Sequence, residues 1–338
     1  MPQSSRLLIV VPCLDEEAAL PDLLAMLATD AGDGALIVVA DGGSRDRSVA
    51  IVEEFALRHP AVRLLHNPKR LQSAGINLAA RTFGADRDWL VRIDAHCGYP
   101  AGYVDLLLES AAQHDATSVV VPMITRGEAC FQRAAAAAQN SVMGTGGSPH
   151  RHLVTGRYVD HGHHALFDLA LFLAVGGYDE SFSHNEDAEL DHRLGQAGGR
   201  IWLEPDASLI YHPRKDPGAL FRQYRNYGRG RARMVGKHGV RLKLRQAAPL
   251  VIAPVIAAAM LGMILAAMVD ARFALLALPA SGWLMLCQAF AVVLAKRAWS
   301  WCVLASGLAA AIMHAGWSIG YWSWLLSPGR VVRATATG

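Results

Sequence analysis

Cysteine is scarce. Five residues, Cys13, Cys97, Cys130, Cys287 and Cys302, are scattered over 338 positions with no CxxC or other zinc-ligand spacing, which excludes a structural zinc ribbon or finger. An odd number cannot pair off completely, so the cysteines read as reduced thiols of a protein facing a reducing compartment. Charge of one sign is also missing. Thirty-two Lys and Arg stand against 29 Asp and Glu, a formal net charge of +3 with pI ≈ 8.6, too even a balance for a nucleic-acid partner. The N-terminus lacks a long apolar core: "RLLIVVP" halts at Pro12 and runs into Asp15, Glu16 and Glu17, so no secretory leader is expected. Finally, residues 249–326 are nearly devoid of charge, carrying only Asp270, Arg272, Lys296 and Arg297.

What is present divides along the chain. A 52% hydrophobic content and a mean hydropathy of +0.22 exceed those of an ordinary soluble globule, and the excess lies in the last quarter. Before it, "RLLIVVP", "ALIVVAD", "VRLLHN" and "WLVRIDAH" read as β-branched strands separated by helical periodicity, with a further strand in "ATSVVVPMI". Alternating strands and helices imply a mostly parallel, Rossmann-like α/β sheet flanked by helices, whose ligands sit at the carboxyl ends of the strands. Residues 1–218 are expected to form this domain. Residues 219–248 interleave arginines with aromatics, as an amphipathic interfacial helix on anionic headgroups does. Within 249–326, the stretches 249–269, 273–295 and 299–326 each approach or exceed the roughly 20 residues that cross hydrocarbon, followed by a tail at 327–338. Lys296 and Arg297 would share the cytoplasmic side with the basic segment if all three cross. The Gly-rich 144–158 stretch reads as a mobile loop over the site.

Several clusters carry chemistry. In "RIDAHCGYP", Asp94 and His96 are two apart at an expected strand end, leaving one face of the backbone. They suit a divalent cation, with the imidazole favouring Mn²⁺ over Mg²⁺, or else are a solvated acid and a hydrogen-bonded histidine. Asp41 in "VVADGGSRDRS" could accept from a nucleobase or ribose, or simply organise a turn before a helix capped by Ser44 or Asp46. "SHNEDAELDHR" sets Glu186, Asp187, Glu189 and Asp191 at a helix start. Dipole compensation explains acids there, and one poised carboxylate suits a general base. His161, His163, His164 and His212 suit a substrate-lining role better than zinc. Gln223, Arg225 and Arg229 could clamp diphosphate or touch lipid headgroups.

In order and spacing, "VPCLDEE", "VVADGGSRDRS", "NPKRLQSAGINLA", "RIDAHCGYP", "VGGYDESFSHNEDAELDHRLGQAGGRIWL" and "QYRNYGRGR" resemble a family-2 glycosyltransferase of the GT-A fold, over about residues 6–235. "IDAHCGYP" and "HNEDAEL" are most similar to its membrane-anchored succinoglycan-type branch. The resemblance implies an inverting, metal-dependent hexosyltransferase taking a nucleotide sugar, with uridine the expected base. It implies nucleotide contacts from Pro12, Glu16, Asp41, Lys69 and Gln72. Asp94 takes the metal role of the DxD motif with His96 as its second ligand, and Asp187 falls on the general base. Gln223 and Arg225 fall near the QxxRW motif, with Tyr227 in place of its tryptophan, and Ala40 replaces the second Asp that many members carry beside Asp41. Glu186, His163, His164 and His212 are expected with them on the acceptor or diphosphate side from their own clusters. The implied acceptor is a polyprenyl-linked saccharide in exopolysaccharide synthesis. The implied setting is the bacterial inner membrane, crossed several times with the catalytic domain cytoplasmic. One alternative acts on polyprenyl phosphate itself; a more distant one is a non-catalytic membrane scaffold or sensor.

Overall fold

The computed structural model describes residues 6–30, 32, 34–147 and 155–327. Residues 148–154 of the expected loop and 328–338 of the tail lie outside these. The chain divides into two compact units, Met1–Ile124 with Leu153–Tyr211, and Thr125–His152 with His212–Gly338.

The first unit is built on an eight-stranded sheet of order β3-β2-β1-β4-β8-β5-β9-β7. Its strands are β1 (Leu7–Cys13), β2 (Leu36–Asp41), β3 (Val62–His66), β4 (Trp89–Arg92), β5 (Ser118–Val121), β7 (Arg157–Tyr158), β8 (His163–Asp168) and β9 (Ile201–Leu203). β3, β2, β1 and β4 run parallel, as the alternation predicts. β8 is antiparallel to both β4 and β5, and β7 is an antiparallel edge. β6 (Met123–Thr125) and β10 (Leu209–Tyr211) form a separate ribbon.

A sheet covered on both faces needs strands that are apolar at every position, and β1 (LLIVVPC) supplies that run. Leu7, Ile9 and Val11 pack with Leu20, Leu24 and Leu27 of helix α1 (Leu20–Asp30). Leu8 and Val10 face the other way, toward α3 (Gln72–Phe83) and α8 (Glu186–Gln196), through Ile76, Ala79 and Leu190. Completing the cover are α2 (Ser48–Arg58), α4 (Tyr103–Gln113) and α7 (Leu169–Ala174). Each such side chain is worth roughly 1.5–3 kcal/mol of burial. The helix after Asp41 starts at Ser48 with Arg47, which makes no side-chain cap bond, at the cap position; Asp46 rather than Ser44 serves the helix start, its Oδ1 accepting the Ser48 amide (2.9 Å).

The second unit is helical. It holds α5 (Cys130–Gln139), α6 (Val142–Thr145), α9 (Pro217–His238), α10 (Leu244–Ala247), α11 (Ile252–Met268), α12 (Leu278–Ala298) and α13 (Ser306–Leu325). The 125–152 segment, expected within the first domain, joins this unit because Ala135 and Ala138 of α5 pack on Ala309, Ala310 and Met313 of α13. Three helical stretches, Leu244–Met268, Ala271–Ala298 and Trp301–Leu325, are long and apolar enough to cross a membrane. The first two are 11% buried and the third 50%. α13 is covered because Gly316 and Gly320, four residues apart, let α9 approach: a Cβ on Gly316 would sit 2.9 Å from the Phe221 carbonyl oxygen, and one on Gly320 would collide with that of Arg225. Gly228 of α9 is equally tight against the Trp317 backbone.

One expectation about the cysteines is overturned. Cys130 and Cys302 are disulfide-bonded across 172 residues, whereas Cys13, Cys97 and Cys287 are free. The packing of α5 on the Trp301–Ala305 turn brings the pair together, which no sequence spacing announces.

Candidate active site

The carboxyl ends of β1, β2 and β4 open onto one edge of the sheet. There "CLDEE" and "DGGSRDRS" are laced together. The Glu16 amide donates to Ser48 Oγ (2.9 Å), that of Glu17 to Asp46 (2.9 Å), and that of Arg45 to Asp15 (2.6 Å). Asp41 accepts from the Gly43 amide (2.8 Å) and the Ser44 hydroxyl (2.5 Å), so the turn-organising reading of Asp41 is the one these contacts build. Pro12 lies within β1.

β4 ends at Arg92, so Asp94 and His96 do not alternate along a strand. They sit in the following turn, closed by the Cys97 amide on the Asp94 carbonyl (3.2 Å). Asp94 is largely covered and His96 largely open to solvent, their side chains 11% and 65% exposed. Strand alternation puts Arg92 on the same face as Leu90, toward α8, and there its buried guanidinium meets two acids. Nε lies 3.0 Å from Asp94 Oδ1, and a terminal nitrogen 2.7 Å from Asp187 Oδ1. Gln72 donates to Asp94 Oδ1 (2.5 Å), and the Tyr178 hydroxyl donates to Asp187 Oδ1 (3.0 Å). His163, at the start of β8, stands between the acids, 3.6 Å from Asp94 and 3.8 Å from Asp187 Oδ2.

The electrostatics follow. Burial opposes ionisation of Asp94, but Arg92 and then His163 outweigh it and hold the carboxyl at about 2. Asp187 is likewise held below its usual range, burial being overcome chiefly by Arg92. Its neighbour Glu186 goes the other way: burial and the Asp187 charge raise it from 4.5 to about 7. Desolvation keeps His163 below its ordinary value.

The remaining acids of the helix start have separate partners. Glu189 binds Arg193 (2.6 Å). Asp191 meets His164 Nε2 at 2.8 Å with both side chains fully buried, and the acid raises the imidazole despite desolvation. His161 contacts Asp160 (3.0 Å), so the clustered histidines face different acids rather than one centre. Lys69 binds Glu180 (2.6 Å), tying the turn before α3 to the loop before α8. His212, Gln223 and Arg225 belong to the second unit. His212 is exposed, and Gln223 is buried in α9 with its amide on the Tyr227 hydroxyl (3.0 Å). Sequence reasoning missed Arg92 and Tyr178. A lone charge in an otherwise buried apolar strand was the signal for the first.

Among the described residues no three His, Cys, Asp or Glu side chains are grouped to hold a metal ion. Two donors nevertheless have suitable chemistry. His96 Nδ1 lies 2.8 Å from Glu16, and a carboxylate on one ring nitrogen directs the other toward a metal. Asp94 adds an anionic oxygen.

Against protein families, residues 8–171 match the model for glycosyl transferase family 2. Over 324 residues, 96% of each chain, the sequence is 44% identical to the succinoglycan biosynthesis protein ExoA of Rhizobium meliloti (strain 1021). The chain belongs to glycosyltransferase family 2. Among solved structures, it is similar to a mannosyltransferase of Pyrobaculum calidifontis in complex with GDP-Man and Mn²⁺, with a TM-score of 0.58 and 20% identity over 93% of this chain and 89% of that one. That likeness is one of fold, and it agrees with the GT-A architecture. Arg92 and Asp94 lie at the carboxyl end of β4, where α/β folds place their ligands, and Asp187 meets Arg92 from the first turn of α8.

Proposed function

We propose that this family-2 glycosyltransferase moves a sugar from a nucleoside diphosphate, with uridine the expected base, to a lipid-linked saccharide at a membrane surface, inverting the anomeric centre. The observation that carries the reading is the single guanidinium of Arg92 holding Asp94 and Asp187 together. A donor site and a proton acceptor thereby stand within one side chain of each other. Kinship to ExoA supports a role in exopolysaccharide synthesis, and the apolar helices of the second unit support membrane association.

Asp94 and His96 would hold the divalent ion, Mn²⁺ favoured by the imidazole, and Glu16 would orient His96. Bound there, the ion supplies charge neutralisation for the departing diphosphate. Asp187, with Oδ1 occupied by Arg92 and Tyr178, offers Oδ2 to the acceptor hydroxyl. It takes the proton as the oxygen forms its bond to the anomeric carbon and the nucleoside diphosphate leaves from the opposite face. Gln72 steadies Asp94 through the same step.

Asp187→Asn is expected to abolish transfer while donor-nucleotide binding by calorimetry survives. Loss of binding with the activity would place Asp187 at the donor and end the base assignment. Transfer directly to polyprenyl phosphate is favoured over a saccharide acceptor by one feature, the six cations of α9 within 217–238, and an acceptor assay with both substrates separates the two.

A further inference from the structure

Arg92 joins the two proposed acids, and its own part in the transfer step follows from how its contacts are arranged. It is the charged residue of an otherwise apolar strand, its side chain only 4% exposed. A buried guanidinium is stable only where acceptors surround it, and here Asp94, Asp187 and the Tyr178 hydroxyl (3.1 Å) do so. The contacts are arranged asymmetrically. Arg92 and Tyr178 both reach the same oxygen of Asp187, Oδ1, whereas Oδ2 faces His163 at 3.8 Å. On the other side Arg92 grips both oxygens of Asp94, at 3.0 and 3.3 Å.

We propose that Arg92 and Tyr178 are the positioning pair of the transfer reaction: they fix which Asp187 oxygen meets the acceptor, and Arg92 sets the distance between that oxygen and Asp94. The inference rests on the reading of Asp187 as the base. A planar fork can hold two carboxylates at once, which an ammonium cannot do with the same geometry. Tyr178 itself is locked from behind, its ring packed on Phe172 and Phe167 and its amide donating to Asn77 (2.8 Å). Its hydroxyl therefore approaches Asp187 from one fixed direction. Catalytic geometry tolerates little play, so the loss of such a clamp lowers turnover more than ground-state binding.

The test compares Tyr178→Phe, which keeps the ring and its packing, with Arg92→Lys, which keeps the charge. Tyr178→Phe is expected to lower kcat about 10- to 100-fold, the worth of a hydrogen bond to a charged group, with KM for the nucleotide sugar and the thermal transition nearly unchanged. Arg92→Lys should lower kcat further and raise the fraction of donor hydrolysed rather than transferred. Unchanged kcat in Tyr178→Phe, or an effect confined to KM or to thermal stability, overturns the positioning role. Asp187→Asn run alongside separates the two ideas. If it is inactive while Tyr178→Phe is fully active, the base stands and the clamp falls; if Asp187→Asn remains active, the base assignment falls and the clamp with it.

Discussion

Glu186 and Asp187 are adjacent carboxylates driven in opposite directions by their surroundings. Arg92 reaches Asp187, while Glu186 feels burial and the Asp187 charge, so its carboxyl rises from 4.5 to about 7. The sign of the stability effect follows from linkage. Below about 4.5 both folded and unfolded chains keep this proton; between 4.5 and 7 only the folded chain does, so stability is lost as the pH rises through that window. Glu186→Gln removes the titration. Thermal transitions of the two proteins, measured from pH 4.5 to 8, should therefore diverge in favour of the variant up to about pH 7 and run parallel above it. Curves parallel throughout would show that Glu186 ionises in the ordinary range. The sequence could announce an acidic cluster at this helix start but not the division of labour, because that depends on partners from β4, β8 and the Tyr178 loop. Likewise Asp94 and His96 were legible as residues, while their opposite exposures were not: β4 stops two residues before Asp94.

At the level of elements, β1 to β5 and helices α1 to α3 were readable from β-branched runs and helical spacing. β8 was not. "HHALFDLALFLAV" is continuous in its apolarity, and the change from strand to helix falls at Asp168, whose carboxylate accepts the Leu171 amide at 2.8 Å. That N-cap was the readable mark. α13 shows the converse limit of hydropathy, since its composition matches a membrane span while half of it is covered by protein. Gly320 decides that packing. Gly320→Leu inserts a side chain against the Arg225 backbone and is expected to destabilise the second unit by about 1–3 kcal/mol or more, read as a lowered thermal transition in detergent. Gly282→Leu on α12, where a Cβ meets nothing within 4 Å, should be neutral. Equal behaviour of the two variants would refute the close α9–α13 seam.

For the molecule as a whole, apolar surface and basic surface give separable expectations about the membrane. Met260, Met263 and Met268 of α11 and Met285 and Leu286 of α12 are exposed, and screening by salt does not weaken apolar burial as it does ion pairing. Full-length protein in isolated membranes should stay bound through a wash at about 1 M salt and come off in detergent. Release by salt alone would assign the attachment to the basic 219–248 segment. The Cys130–Cys302 bond lies within this same helical unit, so a composition that reads as all-reduced concealed a long-range covalent link.

The place of β8 in the sheet bears on the order in which the protein can be made. It sits between β4 and β5, yet it leaves the ribosome after both, so neither earlier strand has its neighbour until residue 168 has emerged. A nascent chain that ends sooner carries two open edges in the middle of its future sheet. When the late strand closes that gap it also brings His163 between Asp94 and Asp187, so sheet closure and arrival of that site residue are one event in biosynthesis.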